Sequence, residues 1–323
     1  LRRLVRSAQQ RQLKSRVHAW KPRMIYANTC ATGELLEFLR IANVPVATHV
    51  HELEVVIKLM FHDQFTAIRN RTDRYLAVSQ AVRQNLISSY GVDGNDIETV
   101  PGFVDVADLS RLDRDDARRR FLDRFDLPDD AVIVGASGTP GWRKGSDVFV
   151  RVARDVFRKR PDAPIWFVWV GGSVRDENSE FPRHDCRRLG LDDRMQFIEA
   201  QTDPAPLYGA FDVFAMTSRE DPYPLVILEL GAMSVPAVCF DQAGGSQELI
   251  EGDAGFVVPY LDTDAMADRI LELSESSALR SRLGERIRDK VAARNDTQVI
   301  MPRVLDVIER MMTPAPDAIG NEP

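Results

Sequence analysis

The stretch that decides the fold is VFAMTSREDPYPLVILELGAM, residues 213–233. VFAMT is a short apolar run with the length of a buried strand, and LVILELGAM has apolar residues at helical spacing. Acidic residues and two prolines separate them. Proline is well tolerated at the first helical position, so Pro224 is expected to begin the helix. The stretch therefore predicts a strand, a polar turn and a helix.

The same alternation of short apolar runs and helical patterns recurs along the chain. Helical patterns such as SDVFVRVARDVFRKR, residues 146–160, lie between the apolar runs. Continuous apolar strands separated by helices indicate parallel sheets that are covered on both faces. The expected strands lie at residues 24–28, 44–50, 74–79, 97–101, 131–137, 165–171, 195–200, 213–218, 236–241 and 255–260.

A length of 323 residues suggests two domains. We expect a partial first domain at residues 1–112 and a second at 113–296, with a charged connector near their boundary. A C-terminal helix at 297–312 would return toward the first domain, and 313–323 would form a disordered tail. The first half has three or four strands against six, and it opens with a basic helix. We therefore expect a chain that is incomplete at its N-terminus.

Composition excludes several functional classes. The net charge of -7 argues against a general nucleic-acid binder. No run approaches the ~18 apolar residues of a membrane span. Three distant cysteines, Cys30, Cys186 and Cys239, suggest reduced thiols in a cytoplasmic protein. Residues 1–23 hold eight Lys/Arg and no acid; a solvated basic helix is the simpler interpretation, and contact with the inner face of a membrane is the alternative.

Ligands of open parallel sheets bind beyond the carboxyl ends of the strands, so the loops there are the candidates for function. After the strand at 213–218, the free amides of Leu225 and Val226 would form an anion site at a helix N-terminus. Asp221 lies just outside this helix, and Glu229 lies on its second turn. Taken alone, Asp221 can equally be a helix cap and Glu229 a surface residue.

Two further loops of the second half carry glycines and charges. ASGTPGWRKGSD, residues 136–147, places Arg143 and Lys144 at a strand tip, and Asp147 is expected to cap the next helix. In DQAGGSQE, residues 241–248, paired glycines permit a close-approach turn and Ser246 is expected to cap a short helix. The chain has neither a P-loop nor a G-x-G-x-x-G pattern.

One loop of the first half, THVHEL, contains two histidines. We expect His49 and His51 to point to opposite sides of the strand, with His51 at its end. A metal site formed by His49, His51 and Glu52 is the alternative, and diverging neighbours argue against it.

Together these loops resemble the group 1 family of retaining glycosyltransferases with the GT-B fold. The residues that carry the resemblance are RKGSD (143–147), SREDPYPLVILE (218–229) and AGGSQELIEGDAGFVV (243–258), with RYLAVSQAVRQNL (74–86) and ETVPGFVD (98–105) in the first half. The family signature is two acids separated by seven residues, and Asp221 and Glu229 have that spacing. The resemblance implies an α/β fold of two Rossmann-like domains facing across a cleft, the first one incomplete here.

The resemblance also implies a reaction: transfer of a hexose from a nucleotide-sugar to an acceptor hydroxyl with retention of anomeric configuration. Glu229 would bind the ribose hydroxyls, Asp221 would lie beside the donor sugar, and Lys144 would neutralise the diphosphate. The acceptor would be a sugar, a polysaccharide or a lipid-linked molecule; no cofactor, metal or nucleic acid is expected. The implied catalytic residues are His51, Asp221 and Lys144, and the donor-binding ones are Gly138, Arg143, Lys144, Tyr223, Leu225, Val226, Glu229, Gly244 and Gly245.

The chain departs from the family pattern at specific positions. Gly138 stands near a place where the family often has arginine, so Arg143 would substitute for it. Pro224 occupies a position often held by glycine, and the family's opening strands and glycine-rich loop are missing. Two alternatives therefore stay open: a non-catalytic fragment that binds nucleotide-sugar, and an unrelated Rossmann-type epimerase or dehydrogenase. The absence of G-x-G-x-x-G argues against the second.

Overall fold

The computed structural model describes residues 12–173 and 175–313. The chain divides into two compact units, the first comprising Leu1–Pro101 and Ile300–Pro323 and the second Gly102–Val299. Each of the ten expected strand segments contains one observed strand, so the prediction of two parallel sheets is confirmed. No helix in the described part of the chain is long and apolar enough to cross a membrane.

The first unit is a four-stranded parallel sheet in the order β1-β2-β3-β4. All five residues of β2 are buried, as expected for a strand covered on both faces. Its strands are β1 Ile25–Ala27, β2 Val46–Val50, β3 Arg74–Ala77 and β4 Ile97–Thr99. Its helices are α1 (residues 12–20), α2 Gly33–Leu39, α3 Glu54–Met60, α4 His62–Arg71, α5 Gln80–Tyr90 and, from Ile300 onward, α15 Thr297–Met312.

The C-terminal helix α15 is attached to the edge strand β4. Arg303 donates a hydrogen bond of 2.7 Å to the carbonyl of Thr99, and Arg310 lies 2.8 Å from the Glu98 carboxylate. The part of the basic N-terminal segment up to residue 11, and the expected tail from residue 314, lie outside the described residues.

The second unit is a six-stranded parallel sheet in the order β10-β9-β8-β5-β6-β7. Its strands are β5 Val132–Ser137, β6 Ile165–Val170, β7 Met195–Ile198, β8 Val213–Met216, β9 Ala237–Phe240 and β10 Gly255–Val258. Its helices are α6 Val106–Leu109, α7 Arg114–Phe125, α8 Ser146–Lys159, α9 Glu177–Arg188, α10 Ala205–Tyr208, α11 Leu225–Ala232, α12 Ser246–Ile250, α13 Thr263–Glu275 and α14 Ser277–Arg294.

This strand order places a topological switch between β5 and β8. The chain builds outward from β5 through β6 to β7, then returns to pair Val134 with Val213 and Gly135 with Phe214. In open α/β sheets, ligands bind beyond the carboxyl ends of the strands at such a switch. The consecutive β5 residues Ile133 and Val134 belong to separate apolar cores, one on each face of the sheet.

The division between the units differs from the expected boundary at residues 112 and 113. Val104 pairs with the segment that follows α14: its amide donates to the Asn295 carbonyl at 3.0 Å, and its own carbonyl accepts from Thr297 at 3.0 Å. Asn295 also donates 2.8 Å to the Gly102 carbonyl. These contacts join segments far apart in sequence, so Gly102 and the residues after it belong to the second unit.

A buried lysine on α14 closes the C-terminal end of α12. The Lys290 side chain is 3% exposed, and its ammonium donates to the carbonyls of Leu249 (3.1 Å) and Ile250 (3.3 Å). It also forms ion pairs with Glu251, at 2.9 Å, and with Asp253. The last carbonyls of a helix otherwise have no intrahelical donor. Lys290 therefore caps α12 and also neutralises the partial negative charge at this end of the helix.

Lys290→Met is expected to destabilise the protein by about 2 kcal/mol, because buried carbonyls lose a charged donor. The matched control is Arg294→Met: Arg294 also pairs with Glu251, at 2.9 Å, but its side chain is half exposed. Exposed pairs contribute less than about 1 kcal/mol. Urea unfolding measures both differences, and equal effects of the two substitutions would contradict the capping role.

Candidate active site

The loops that follow β5 and β8 are held together by backbone contacts at the switch point. Gly145 lies between them with φ +70, and a Cβ atom there would fall 2.0 Å from the Thr217 carbonyl oxygen. The Thr217 hydroxyl donates to the Gly145 carbonyl at 3.0 Å, and the Arg219 amide donates to the Arg143 carbonyl at 2.8 Å. Close approach of the two loops therefore requires glycine at position 145.

Two cations converge on one buried carboxylate in this place. The Lys144 ammonium lies 2.6 Å from Oδ2 of Asp221, and the Arg143 guanidinium lies 3.5 Å from the same atom. The Asp221 side chain is 6% exposed and that of Lys144 is 15% exposed, whereas Arg143 reaches solvent at 38%. The Ser218 hydroxyl lies 3.4 Å from Asp221 Oδ2. The two cations therefore share one carboxylate oxygen, and Arg143 also donates to the Glu220 carbonyl at 3.3 Å.

The glycine loop after β9 lies against the same aspartate. The Asp221 amide donates to the Ala243 carbonyl at 2.7 Å, and the Gly245 amide donates to the Asp221 carbonyl at 3.1 Å. Asp221 and Gly244 form an isolated parallel bridge, and Gly244 has φ +126, which favours glycine. The expected capping role of Ser246 is wrong: Gly245 is the N-cap of α12 and Ser246 is its first residue.

The N-terminus of α11 is open. Pro224 is the N-cap with extended backbone, so the helix begins at Leu225 and not at the proline as expected. No side chain caps this end, and no hydrogen bond to the amides of Leu225, Val226 or Ile227 occurs within the described residues. Free amides at a helix N-terminus bind anions, so this end adds to the positive character of the loops.

Glu229 is a half-buried carboxylate on α11 without a partner. It makes no hydrogen bond or ion pair with residues 12–173 or 175–313, and burial raises its pKa above the ordinary 4.5. Burial, helped by the charge of Glu229, also raises the pKa of Tyr208 to about 12. The Tyr208 hydroxyl lies 2.6 Å from that of Ser137, at the carboxyl end of β5. The carboxylate is therefore free to accept hydrogen bonds from a ligand.

Glu229→Gln is expected to stabilise the ligand-free protein at pH 8. Because the folded pKa of Glu229 lies above its unfolded value, the native state loses stability as pH rises through that interval. Glutamine carries no charge and escapes this cost, so the difference should shrink as pH falls toward 4.5. Urea unfolding across this pH range measures it. Equal stability of the two proteins at pH 8 would contradict an unpartnered carboxylate.

Two other predicted donor-binding residues have contacts within the fold. The Tyr223 hydroxyl accepts a hydrogen bond of 3.1 Å from the Asn295 side chain, and a Cβ atom on Gly102 would lie 3.3 Å from the Tyr223 ring. The Tyr223 hydroxyl is thus used in a contact within the second unit. Gly138 has φ +143, and a Cβ there would lie 3.0 Å from the stem of Lys144. Glycine at 138 thus gives the lysine side chain its space.

One residue of the site was missed by sequence reasoning. Arg219 donates two hydrogen bonds to the Asp147 carboxylate, at 2.8 and 2.7 Å, and its guanidinium lies 5.8 Å from the centre of the Trp142 ring. Asp147 therefore does not cap α8, whose N-cap is Gly145. The Arg219–Asp147 pair joins the loop that follows β8 to the first turn of α8. Its members lie 72 positions apart, so no local pattern indicates it.

His51 belongs to the first unit and follows β2. The rings of His49 and His51 have centroids 4.4 Å apart, so the expectation that they point to opposite sides is wrong. Residues two apart on a strand share a face. His49 lies 2.7 Å from the Tyr26 hydroxyl and 3.2 Å from the Val100 carbonyl, and His51 Nε2 lies 3.0 Å from the Asn28 amide oxygen.

The environment keeps both rings neutral near pH 7. Burial, together with the charge of His51, lowers the pKa of His49 to about 4, and burial also lowers the pKa of His51. Glu52 accepts from the backbone amides of Cys30 (3.2 Å) and His51 (3.0 Å) and from the Thr29 hydroxyl. The Glu52 carboxylate oxygens thus accept hydrogen bonds from the surrounding loops. The described residues contain no group of three or more His, Cys, Asp or Glu arranged to hold a metal ion.

Both halves of the chain match known families. Residues 128–276 match the family described as glycosyl transferases group 1, and residues 1–108 match glycosyltransferase family 4. The chain is 27% identical to a D-inositol 3-phosphate glycosyltransferase of Kribbella flavida over 66% of its own length and 51% of that protein. It is 29% identical to a GDP-mannose-dependent alpha-(1-6)-phosphatidylinositol monomannoside mannosyltransferase of Mycolicibacterium smegmatis, over 70% and 59% of the two chains. The chain thus spans about half the length of the curated relatives it matches.

Solved structures share the fold at low sequence identity. The HepE protein of Anabaena, in complex with UDP and glucose, superposes with a TM-score of 0.80 at 20% identity, covering 91% of this chain and 80% of that one. Sucrose-phosphate synthase from Thermosynechococcus elongatus gives 0.80 at 20% identity, covering 94% and 77%. The chain therefore belongs to the glycosyltransferases with the GT-B fold, with a family 4 domain at residues 1–108 and a group 1 domain at residues 128–276.

Proposed function

We propose that the second unit binds a nucleoside diphosphate sugar and that the protein transfers a hexose from it to an acceptor hydroxyl, with retention of anomeric configuration. The observation that carries the proposal is the convergence of Lys144 and Arg143 on the single buried carboxylate of Asp221, beside the free amides of α11. These cations and free amides lie at the topological switch, where α/β sheets bind their ligands. Retention is supported by the family resemblance alone.

The same groups would act on the bond that breaks. Cleavage of the sugar–phosphate bond leaves negative charge on the diphosphate, and preorganised donors aimed at such charge are usually the largest catalytic contribution. Lys144, Arg143 and the α11 amides would supply it, so we propose that no divalent metal is needed. Unchanged turnover in EDTA would support this, and loss of turnover that Mg²⁺ restores would contradict it. The acceptor oxygen would bond the anomeric carbon, and its proton would pass to the departing phosphate oxygen, which leaves as nucleoside diphosphate.

Glu229 would hold the ribose. Its half-buried carboxylate has no donor among the described residues, and two adjacent ribose hydroxyls would supply two hydrogen bonds. In this proposal Asp221 lies beside the sugar, His51 is a further catalytic residue, and Gly244 lets the backbone approach the ligand.

The names of related proteins support the class of donor. The Mycolicibacterium relative is described as GDP-mannose-dependent, and the Anabaena structure contains UDP and glucose. Both names contain a nucleoside diphosphate and a hexose, although the bases differ. The shared element is the diphosphate, which is also what the cations of this chain would bind.

Thermal unfolding with UDP, GDP, ADP and NAD⁺ tests the donor site. A ligand at 100 times its dissociation constant adds about 2.7 kcal/mol to the stability of the unit that binds it. We expect one nucleoside diphosphate to raise the unfolding temperature and Glu229→Gln to weaken its binding about tenfold or more, as for a lost charged hydrogen bond. A rise with NAD⁺ alone would favour the epimerase or dehydrogenase alternative, and no rise with any ligand would overturn the proposal.

The second candidate is a non-catalytic fragment that binds nucleotide-sugar. The match covers 51% of the Kribbella relative, so the activity in that protein's name is not shown for this chain. Release of the nucleoside diphosphate from the matching donor, with and without added acceptor sugars, separates the two candidates. Binding without release in any mixture would support the fragment.

We also propose a cytoplasmic location, supported by the three free, buried cysteines. Detection of a Cys30, Cys186 or Cys239 disulfide in the native protein would contradict it. Peripheral membrane contact through basic residues 1–23 stays a prediction, and co-sedimentation with anionic liposomes tests it.

A further inference from the structure

A cavity of about 300 Å³ lies in the second unit at the amino ends of the strands. Its lining includes Asp212 and Pro236, which immediately precede β8 and β9, whereas the switch-point loops follow the carboxyl ends. The volume is at the lower end of the range for small-molecule sites, about 300–1,000 Å³. The side chains that give the cavity its character are Arg114, Arg280, Arg288, Ser234, Ser277 and Ser281.

One carboxylate of the cavity lining, that of Asp212, is already paired with an arginine. Asp212 Oδ2 lies 2.7 Å from the Arg118 guanidinium and accepts the Ile133 amide at 2.8 Å. Arg280 is 3.9 Å from the other oxygen of Asp212. Glu285, the remaining acid of the lining, forms no ion pair within the described residues. Three lining arginines with Arg118, against Asp212, Glu285 and the Asp289 carboxylate that lies 3.5 Å from Arg288, leave an excess of one positive charge.

The arginines retain unused donors. Arg114 donates only to carbonyls, those of Gly209 at 3.1 Å and Phe211 at 2.6 Å, and it has no carboxylate partner within 4.0 Å in the described part of the chain. Arg280 uses Nη1 for the carbonyls of Leu273 and Ser274. One terminal nitrogen of each guanidinium is left without a hydrogen bond among the described residues.

Three serines line the same cavity. The side chains of Ser234, Ser277 and Ser281 make no hydrogen bond with residues 12–173 or 175–313. Ser277 and Ser281 are four residues apart on α14 and therefore lie on one face of the helix, on the same side as Arg280 and Arg288. Arginine forks with serine hydroxyls match the tetrahedral oxygens of a phosphate group.

We propose that this cavity binds a small phosphate-bearing anion, either inorganic phosphate or a phosphate monoester. The site is separate from the switch-point loops and does not depend on the function proposed for them. Ser281→Glu would place a tethered carboxylate among the arginines and exclude the anion. Glu285→Gln would remove the one acid without an ion pair and strengthen binding.

Thermal unfolding in sodium phosphate against sodium chloride at equal ionic strength tests the proposal. We expect phosphate to raise the unfolding temperature of the wild-type chain and of Lys144→Met, in which phosphate binding at the switch point is weakened. Arg288→Gln should weaken the apparent affinity about three- to tenfold, as for a lost charged hydrogen bond partly exposed to solvent. Arg282→Gln is the matched control on α14, outside the lining, and should leave the affinity unchanged.

Two further variants test whether the phosphate effect arises in this cavity. Ser281→Glu should abolish the phosphate effect, and Glu285→Gln should enlarge it. A stronger effect of glucose 6-phosphate than of phosphate, with no effect of glucose, would assign the site to a monoester; equal effects would assign it to inorganic phosphate. The proposal fails if phosphate and chloride act alike on the wild-type chain, or if the phosphate effect survives in Ser281→Glu.

Discussion

Lys144→Met is expected to lower turnover of the nucleotide-sugar donor about 10²–10³-fold, the loss typical of removing one preorganised donor from developing negative charge. The Lys144 side chain is 15% exposed and its ammonium lies 2.6 Å from Asp221, so it is held in place before any ligand arrives. Binding of the nucleoside diphosphate should weaken as well. Initial rates with the donor identified by thermal unfolding measure the first effect, and calorimetric titration measures the second.

A change in folding must be separated from this loss. Without Lys144, the buried carboxylate of Asp221 keeps the 3.5 Å contact with Arg143 and the 3.4 Å contact with the Ser218 hydroxyl. Removing one partner of a buried ion pair destabilises a protein by about 3–5 kcal/mol. Adding Asp221→Asn to Lys144→Met should restore stability but not nucleotide affinity. Arg143→Met should have a smaller effect than Lys144→Met because Arg143 is more exposed. If the double variant binds nucleotide as tightly as the wild type does, Lys144 does not contribute to nucleotide binding.

Gly145→Ala is expected to destabilise the second unit by about 3 kcal/mol or more. Its Cβ would lie 2.0 Å from the Thr217 carbonyl oxygen and 2.9 Å from the carbonyl carbon, so the backbone of one loop must move. The residue also has φ +70, a conformation that costs alanine about 1–2 kcal/mol. Overpacking adds about 1–3 kcal/mol. Urea unfolding gives the stability change, and titration with nucleoside diphosphate should show weakened binding.

Gly190→Ala is the control that isolates the steric contribution. Gly190 has φ +67, almost the same backbone conformation, and nothing lies within 4 Å of a Cβ built on it. Its substitution should cost only the conformational energy of about 1–2 kcal/mol and leave nucleotide affinity unchanged. If the two substitutions destabilise the protein equally, the close approach of Gly145 to Thr217 does not stabilise the site.

Much of the fold could be read from the sequence because the strands are buried on both faces. A run such as IWFVWV at residues 165–170 has no polar position, and this is what a central parallel strand requires. The other strands were located for the same reason, because they too are short apolar runs. The acids at 221 and 229 were found because a strand tip followed by a helix start is a local pattern.

The parts that sequence reasoning missed depend on contacts between distant segments. The boundary between units was misplaced because Val104 pairs with Asn295, across nearly the whole second unit. Arg219 was missed because its partner Asp147 lies on another loop. The error over His49 and His51 was of another kind: the period of a strand already puts residues two apart on one face.

The pairing of β5 with β8 has a consequence for how the ligand site is assembled. Lys144 follows β5 and Asp221 follows β8, and only two residue pairs join these strands in register. The segment from β5 to β7 carries the cations, and the segment from β8 to β10 carries both acids and the glycine turn. Neither segment alone contains a working pair. The ligand site is therefore complete only when the two halves of the sheet are paired, and a ligand that contacts both halves would stabilise their pairing.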